Sequence, residues 1–229
     1  MSCYLSPMRQ RHGRSLTEDV YEQLRASVLH GDVTAGDRLP IDALARQYDV
    51  SLSVIREAVT RLAAERLVEA TPQAGFRVRP VSPEHLADLT WARCQIEQLV
   101  VAESIRSGDL HWEAALVAAN HVLVGVTPRS ADGSVSPAWM DAHRRFHATL
   151  AAGCPNVTML VLRQQLFDEA ELYRHRSAAK PGIERDIANE HREILDAALR
   201  RDADGTAKLI VRHLQRTAML AVDINSRGD

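Results

Sequence analysis

The sequence predicts a mainly α-helical chain of two domains, a small helical domain closed by a β-hairpin and a larger all-helical bundle. Three observations carry this. Apolar residues recur at helical spacing along most of the 229 residues, while aromatic residues make up only 4%. Alternating apolar and polar runs, the mark of strands, are confined to the stretch from Leu67 to Arg79. Pro80 and Pro83 then part the chain. A chain of this length buries enough apolar surface for two modest domains without staples.

Residues 1–14 are polar and arginine-containing without periodicity and are expected to form a flexible arm. From residue 15 the first domain begins. Leu16, Val20, Leu24 and Val28 recur every four residues, Glu18 and Asp19 suit a helix start, and Gly31 stops the helix. Gly36 and Pro40 mark a turn, a short helix spans about 42–48, and Asp49-Val50-Ser51 breaks it before another helix to about Glu65. In that helix Val54, Ile55, Ala58, Val59 and Leu62 form an inward stripe and leave Ser53, Arg56, Glu57, Thr60 and Arg61 on the other side. Leu67 to Ala70 and Phe76 to Arg79 alternate about a turn at Thr71 to Gly75, which is a hairpin pattern. Helix, helix, turn, helix, hairpin is the order of a winged helix-turn-helix, here over 15–80.

Ser82-Pro83-Glu84 opens the second domain, 81–229, as a helix start. Breaks at Gly108, Thr127 to Gly133, Gly153 to Pro155, Pro181-Gly182 and Asp202 to Gly205 divide it into six helices, roughly 83–107, 110–125, 136–152, 156–178, 182–200 and 203–223.

The charge balance argues little by itself. The first 80 residues hold eleven arginines and no lysine against ten acids, and the whole chain carries −2. Cys3, Cys94 and Cys154 are an odd, widely spaced set with no CxxC pair, which fits a reducing cytoplasm and neither a disulfide framework nor a thiolate zinc site. No run reaches the roughly 18 apolar residues of a membrane span, so a cytoplasmic protein without a membrane partner is expected.

A helix entering the major groove needs small or polar side chains at its leading end and cations for phosphate. Ser51, Ser53 and Arg56 occupy that end, with Arg61 further along. Gly75 at the hairpin tip permits close backbone approach, and Arg77 lies beside it, aimed at flanking phosphate. Taken singly, the serines read equally as helix caps and Arg56 as a solvated surface residue. The turn and hairpin around them favour DNA.

Gly36-Asp37-Arg38-Leu39, Leu44 to Ser51 and Ile55-Arg56-Glu57-Ala58-Val59-Thr60-Arg61-Leu62 resemble the winged-helix signature of the GntR family across residues 16–80. Three positions depart from it. Leu52 stands where the family has arginine, Val54 where it has proline, and Arg66 where it has the glycine that ends the recognition helix.

In the second domain His143 and His147 are four apart and share a helix face, while His191 and His213 lie on the last two helices. Neutral imidazoles converging inside a bundle suit zinc, nickel or similar ions. With ten histidines in the chain, chance spacing is the competing reading.

Arg93-Cys94-Gln95-Ile96-Glu97, Arg144 to Leu150 with Asn156, Glu190 to Leu195, Asp202 and His213-Leu214 resemble the effector (FCD) domain of the FadR-type branch of the same family, over 83–222. The resemblance implies a divalent metal ion, zinc, nickel or manganese, on His143, His147, His191 and His213. His143 replaces the family's aspartate, and Asp141 lies on another face. It also implies that Arg93 faces the effector cavity and pairs with a carboxylate. An i, i+4 bridge to Glu97 is the alternative role for Arg93.

Together these readings describe a homodimeric, ligand-responsive repressor released from a near-palindromic operator by a small carboxylate. Two other classes compete. A metal-dependent enzyme would need a general base near the histidines, where no HExxH appears and Glu190 is expected to point off the shared face. A protein-interaction module would show no salt-dependent affinity for DNA.

Overall fold

The structure is a computed structural model and describes residues 15–71, 75–131, 133–177 and 186–222. The arm 1–14 lies outside the described residues. The chain divides after Val81 into two compact units.

In the first unit α1 (Leu16–His30) is capped by Ser15, whose hydroxyl accepts from Glu18 N at 3.2 Å, and ends at Gly31 with φ +78°. Only glycine adopts that left-handed conformation without strain. α2 (Ile41–Tyr48) turns into α3 (Leu52–Ala64) through Asp49 at φ +52°. α1 packs against α3, and Val20, Leu24 and Val28 of the one and Ile55, Val59 and Leu62 of the other are all essentially fully buried. Each such side chain contributes about 1.5–3 kcal/mol. Val54, expected on the inward stripe, is only half-buried.

The wing is a three-stranded antiparallel sheet rather than a lone hairpin. β1 (Arg38–Leu39) and β2 (Val68–Thr71) both pair with β3 (Gly75–Val78), in the order β1-β3-β2. β1 places Arg38 opposite Arg77 and Leu39 opposite Phe76.

The second unit is all-helical: α4 (Pro83–Ser107), α5 (Leu110–Gly125), α6 (Pro137–Ala151), α7 (Val157–Ser177), α8 (Ile187–Leu199) and α9 (Ala203–Val222). The expected start of α8 near residue 182 lies outside the described residues. α4 packs along α9 and α7, and α5 along α6 and α8. Trp112, Leu116, Met140, Phe146, Leu150, Ile194 and Ile210 form the core. Gly108 caps the end of α4, and a Cβ at this position would come within 2.5 Å of the Trp112 indole, so a larger residue does not fit. Ser104 and Trp112 find polar partners inside this core. Ser104 Oγ donates to Leu150 O at 2.6 Å and accepts from Gly153 N at 2.9 Å, and Trp112 Nε1 donates to Thr149 O at 2.8 Å.

Candidate nucleic-acid interface and histidine centre

Ser51 sits at the N-cap of α3, yet its hydroxyl makes no capping bond. It shares a hydrogen bond with Ser53 Oγ at 2.8 Å, and both side chains are exposed at the leading end of the helix. Arg56 is exposed one turn further on. The leading end therefore presents two hydroxyls, one guanidinium and the helix N-terminal amides, the groups that hold phosphate and read base edges. Leu52, 45% exposed, adds an apolar contact there.

Arg61 is differently placed. Its Nη1 donates to Glu18 Oε2 at 2.7 Å and its guanidinium lies 3.7 Å from the Tyr21 ring centroid. Further along α1, Arg25 Nε at 2.9 Å and the Tyr21 hydroxyl donate to Glu65, just past the end of α3. Arg61 thus braces α3 against α1.

On the wing Gly75 is exposed at φ +84° with open space around it, and Arg77 is half-buried between Arg38 and Glu69 across the strands. Arg38 is exposed, so β1 adds a cation that the hairpin reading lacked. A two-residue strand has no periodicity to reveal it. Residues 72–74 of the expected turn lie outside the described residues.

In the helical unit α6, α8 and α9 bring His143, His147, His191 and His213 together. One nitrogen from each lies within 4.8 Å of all the others, and all four side chains are at most 2% exposed. His147 Nε2 is 3.0 Å from His143 Nε2 and 3.3 Å from His191 Nε2. Trp139 stacks on His143 at 4.9 Å, and Phe146 meets His147 and His191 edge to face. This apolar packing fixes the rings.

Burial, followed by the Arg174 guanidinium, holds His143 well below the usual imidazole range. His147 and His191 are held down by burial and then by His213. His143, His147 and His191 are therefore neutral, with lone pairs available as ligands. A tetrahedral ion with N ligands at about 2.0–2.1 Å sets its ligand nitrogens about 3.3 Å apart. The two Nε2 separations from His147, 3.0 and 3.3 Å, are close to that spacing, and the whole set lies within 4.8 Å, so four imidazole donors converge closely enough to surround a divalent ion.

Two rings are also held from behind. His213 Nδ1 is 2.8 Å from Glu190 Oε2, and the His191 ring bonds to the Ile187 backbone. Glu190 corrects the sequence expectation that it points off the shared face. It is buried, and it also accepts from Arg216 Nη1 at 3.2 Å. The signal was the pair His213 and Arg216, three apart on α9 and both suited to one acid.

Arg93 is 5% exposed and lies over Phe167 at 4.7 Å, with the Phe167 ring centroid 6.0 Å from that of His147 and 6.4 Å from that of His143. Arg93 Nη2 is 3.6 Å from Glu97 Oε1, too long for a hydrogen bond, and the residue also lines a cavity between α4, α7 and α9. Glu97 is held instead by Arg163 Nε at 2.9 Å.

Residues 16–78 match the family described as bacterial regulatory proteins, gntR family, and residues 88–216 match the FCD domain. The chain belongs to the GntR family. This GntR chain is 33% identical over 92% of its length to the uncharacterized HTH-type transcriptional regulator BphR of Paraburkholderia xenovorans, covering 86% of that protein. It is 30% identical over 86% of its length to the HTH-type transcriptional repressor GlaR of Escherichia coli, covering 91% of it. Its fold is that of E. coli McbR/YncC, with TM-score 0.78, 20% identity, and coverage of 92% of this chain and 98% of that one. A putative GntR regulator from Rhodococcus sp. RHA1 aligns with TM-score 0.74 and 23% identity over 94% and 100% of the two chains.

The GntR chain is thus a ligand-responsive, DNA-binding transcription regulator with an FCD effector domain, and both domain matches set aside the enzyme reading. FCD domains can bind metal ions. Among the described residues no helix is long and apolar enough to cross a membrane.

Proposed function

We propose that this regulator is a FadR-type homodimeric repressor whose operator affinity is lowered by a small carboxylate bound beside a metal ion. The observation that carries the reading is the convergence of four buried imidazoles within 4.8 Å, one aromatic layer away from Arg93. His143, His147, His191 and His213 would hold the ion, and Glu190 orients His213. When bound, the ion would supply a fixed positive charge beside the effector, the four imidazoles filling its tetrahedral positions. Four nitrogen donors and no carboxylate favour zinc or nickel over manganese. Arg93 supplies a guanidinium for the carboxylate.

On the DNA side Ser51, Ser53 and Arg56 take the major-groove contacts, and Gly75 and Arg77 the flanking backbone. Arg61 serves that surface by holding α3 against Glu18 of α1. Repression as the output is supported by the likeness to GlaR, named a transcriptional repressor. Two copies reading half-sites one helical turn apart give the near-palindromic operator.

The test is fluorescence anisotropy with a duplex selected from a random pool. The reading expects affinity that falls steeply with salt, weakens about tenfold or more in Arg56→Ala, and drops when carboxylates are added to the zinc-loaded protein. Binding indifferent to every carboxylate offered contradicts it.

A further inference from the structure

The cavity lined by Arg93 is lopsided in its chemistry. Among the described residues, Arg93 from α4 and Arg174 from α7 bring the cations to its wall. Arg93 has its Nε and Nη2 buried without a hydrogen bond, while Arg174 Nε is held by Glu171 at 2.6 Å. Most of the wall is aliphatic, with Leu86 and Leu89 of α4 facing Leu214, Ala218 and Ala221 of α9. Of the three hydroxyl side chains on its wall, Thr90, Tyr173 and Thr217, the last two are already engaged. Thr217 Oγ1 donates to His213 O at 2.9 Å, and the Tyr173 hydroxyl bonds His85 Nδ1 at 2.6 Å and accepts from Ser82 N at 3.3 Å.

We infer that the effector is a monocarboxylate with an apolar alkyl or aryl body, rather than a dicarboxylate or a hydroxy acid. The inference rests on the reading of Arg93 as the carboxylate partner and narrows it. A buried guanidinium whose Nη2 lies 3.6 Å from Glu97 Oε1 but whose Nε and Nη2 make no hydrogen bond gains two charge-assisted bonds from one carboxylate. Burial pushes Arg93 down to about 10, so it is still charged at neutral pH. A second carboxylate or a hydroxyl placed against the leucines and alanines would lose its water without regaining a partner. The free space in this partly open cavity is about 20 Å³, room for roughly one water, so an occupant must part Leu86, Leu89 and Leu214. An apolar body offsets that by its own burial.

Isothermal titration of the full-length wild-type chain with straight-chain alkanoates from acetate to octanoate, benzoate, L-lactate and succinate tests this. Affinity is expected to rise about fourfold per added methylene until the cavity is filled. Lactate and succinate are expected at least tenfold weaker than hexanoate, and Arg93→Ala should weaken hexanoate by about tenfold or more, with Arg93→Lys between. Lactate or succinate binding more tightly than the alkanoates, and lost in Arg93→Ala, overturns the apolar class and leaves the carboxylate reading standing. No binding of any of these acids overturns both. The ligand series is read on the wild-type chain, so the outcome does not depend on how a variant folds.

Discussion

Glu190 on α8 holds His213 on α9 through an Oε2 to Nδ1 contact of 2.8 Å, with both groups buried. The carboxylate fixes the tautomer that protonates Nδ1, so the ring offers Nε2 as its ligand nitrogen. Glu190→Gln keeps the shape but weakens the acceptor. The variant should fold normally and lose about 10- to 100-fold in zinc affinity, measured by competition with a chromogenic chelator.

Acid should destabilise the metal-free protein through the same cluster. His143, His147 and His191 have folded-state affinities for protons well below the ordinary value of 6.5. Below that value the unfolded chain binds more protons than the folded one, so stability is fully present above about pH 7 and falls as the pH drops through 6.5. Each depressed histidine contributes a slope approaching about 1.4 kcal/mol per pH unit. Urea midpoints of chelator-treated protein at pH 7.5, 6.5 and 5.5 should fall mainly across the lower interval.

Arg66 occupies φ +61° just beyond α3, at the position where the family places glycine. A non-glycine residue there costs about 1–2 kcal/mol, partly offset by the smaller entropy of its unfolded state. Its carbonyl accepts from Arg79 Nε at 2.8 Å, a backbone contact that substitution preserves. Arg66→Gly should therefore raise stability by about 0.5–1 kcal/mol, read as a higher urea midpoint with an unchanged m-value.

Leu52 is exposed in the first turn of the recognition helix and carries no charge. Leu52→Arg places a cation beside Ser51 and Ser53. It should raise DNA affinity at low salt and steepen the slope of log K against log salt by about 0.9, the value for one added phosphate contact. An unchanged slope places this position away from the DNA backbone.

Much of the fold was legible because its boundaries are chemical. Gly31, Pro83 and Gly108 sit at element ends, where caps and ring constraints act locally. β1 was not legible, since Arg38 and Leu39 become a strand only by pairing with Arg77 and Phe76. The histidines could be gathered because His143 and His147 declare a helix face and the resemblance joined the other two. The partners Glu18 for Arg61 and Glu190 for His213 arise from helix packing between distant segments, which periodicity does not encode.

Elemental mass spectrometry of tag-free protein, run beside His147→Ala and His191→Ala, tests the central claim most directly. The four-histidine sensor predicts close to one zinc or nickel ion per wild-type chain and little in either variant. Metal-free wild type whose melting temperature is also unmoved by added zinc, nickel or manganese would contradict it.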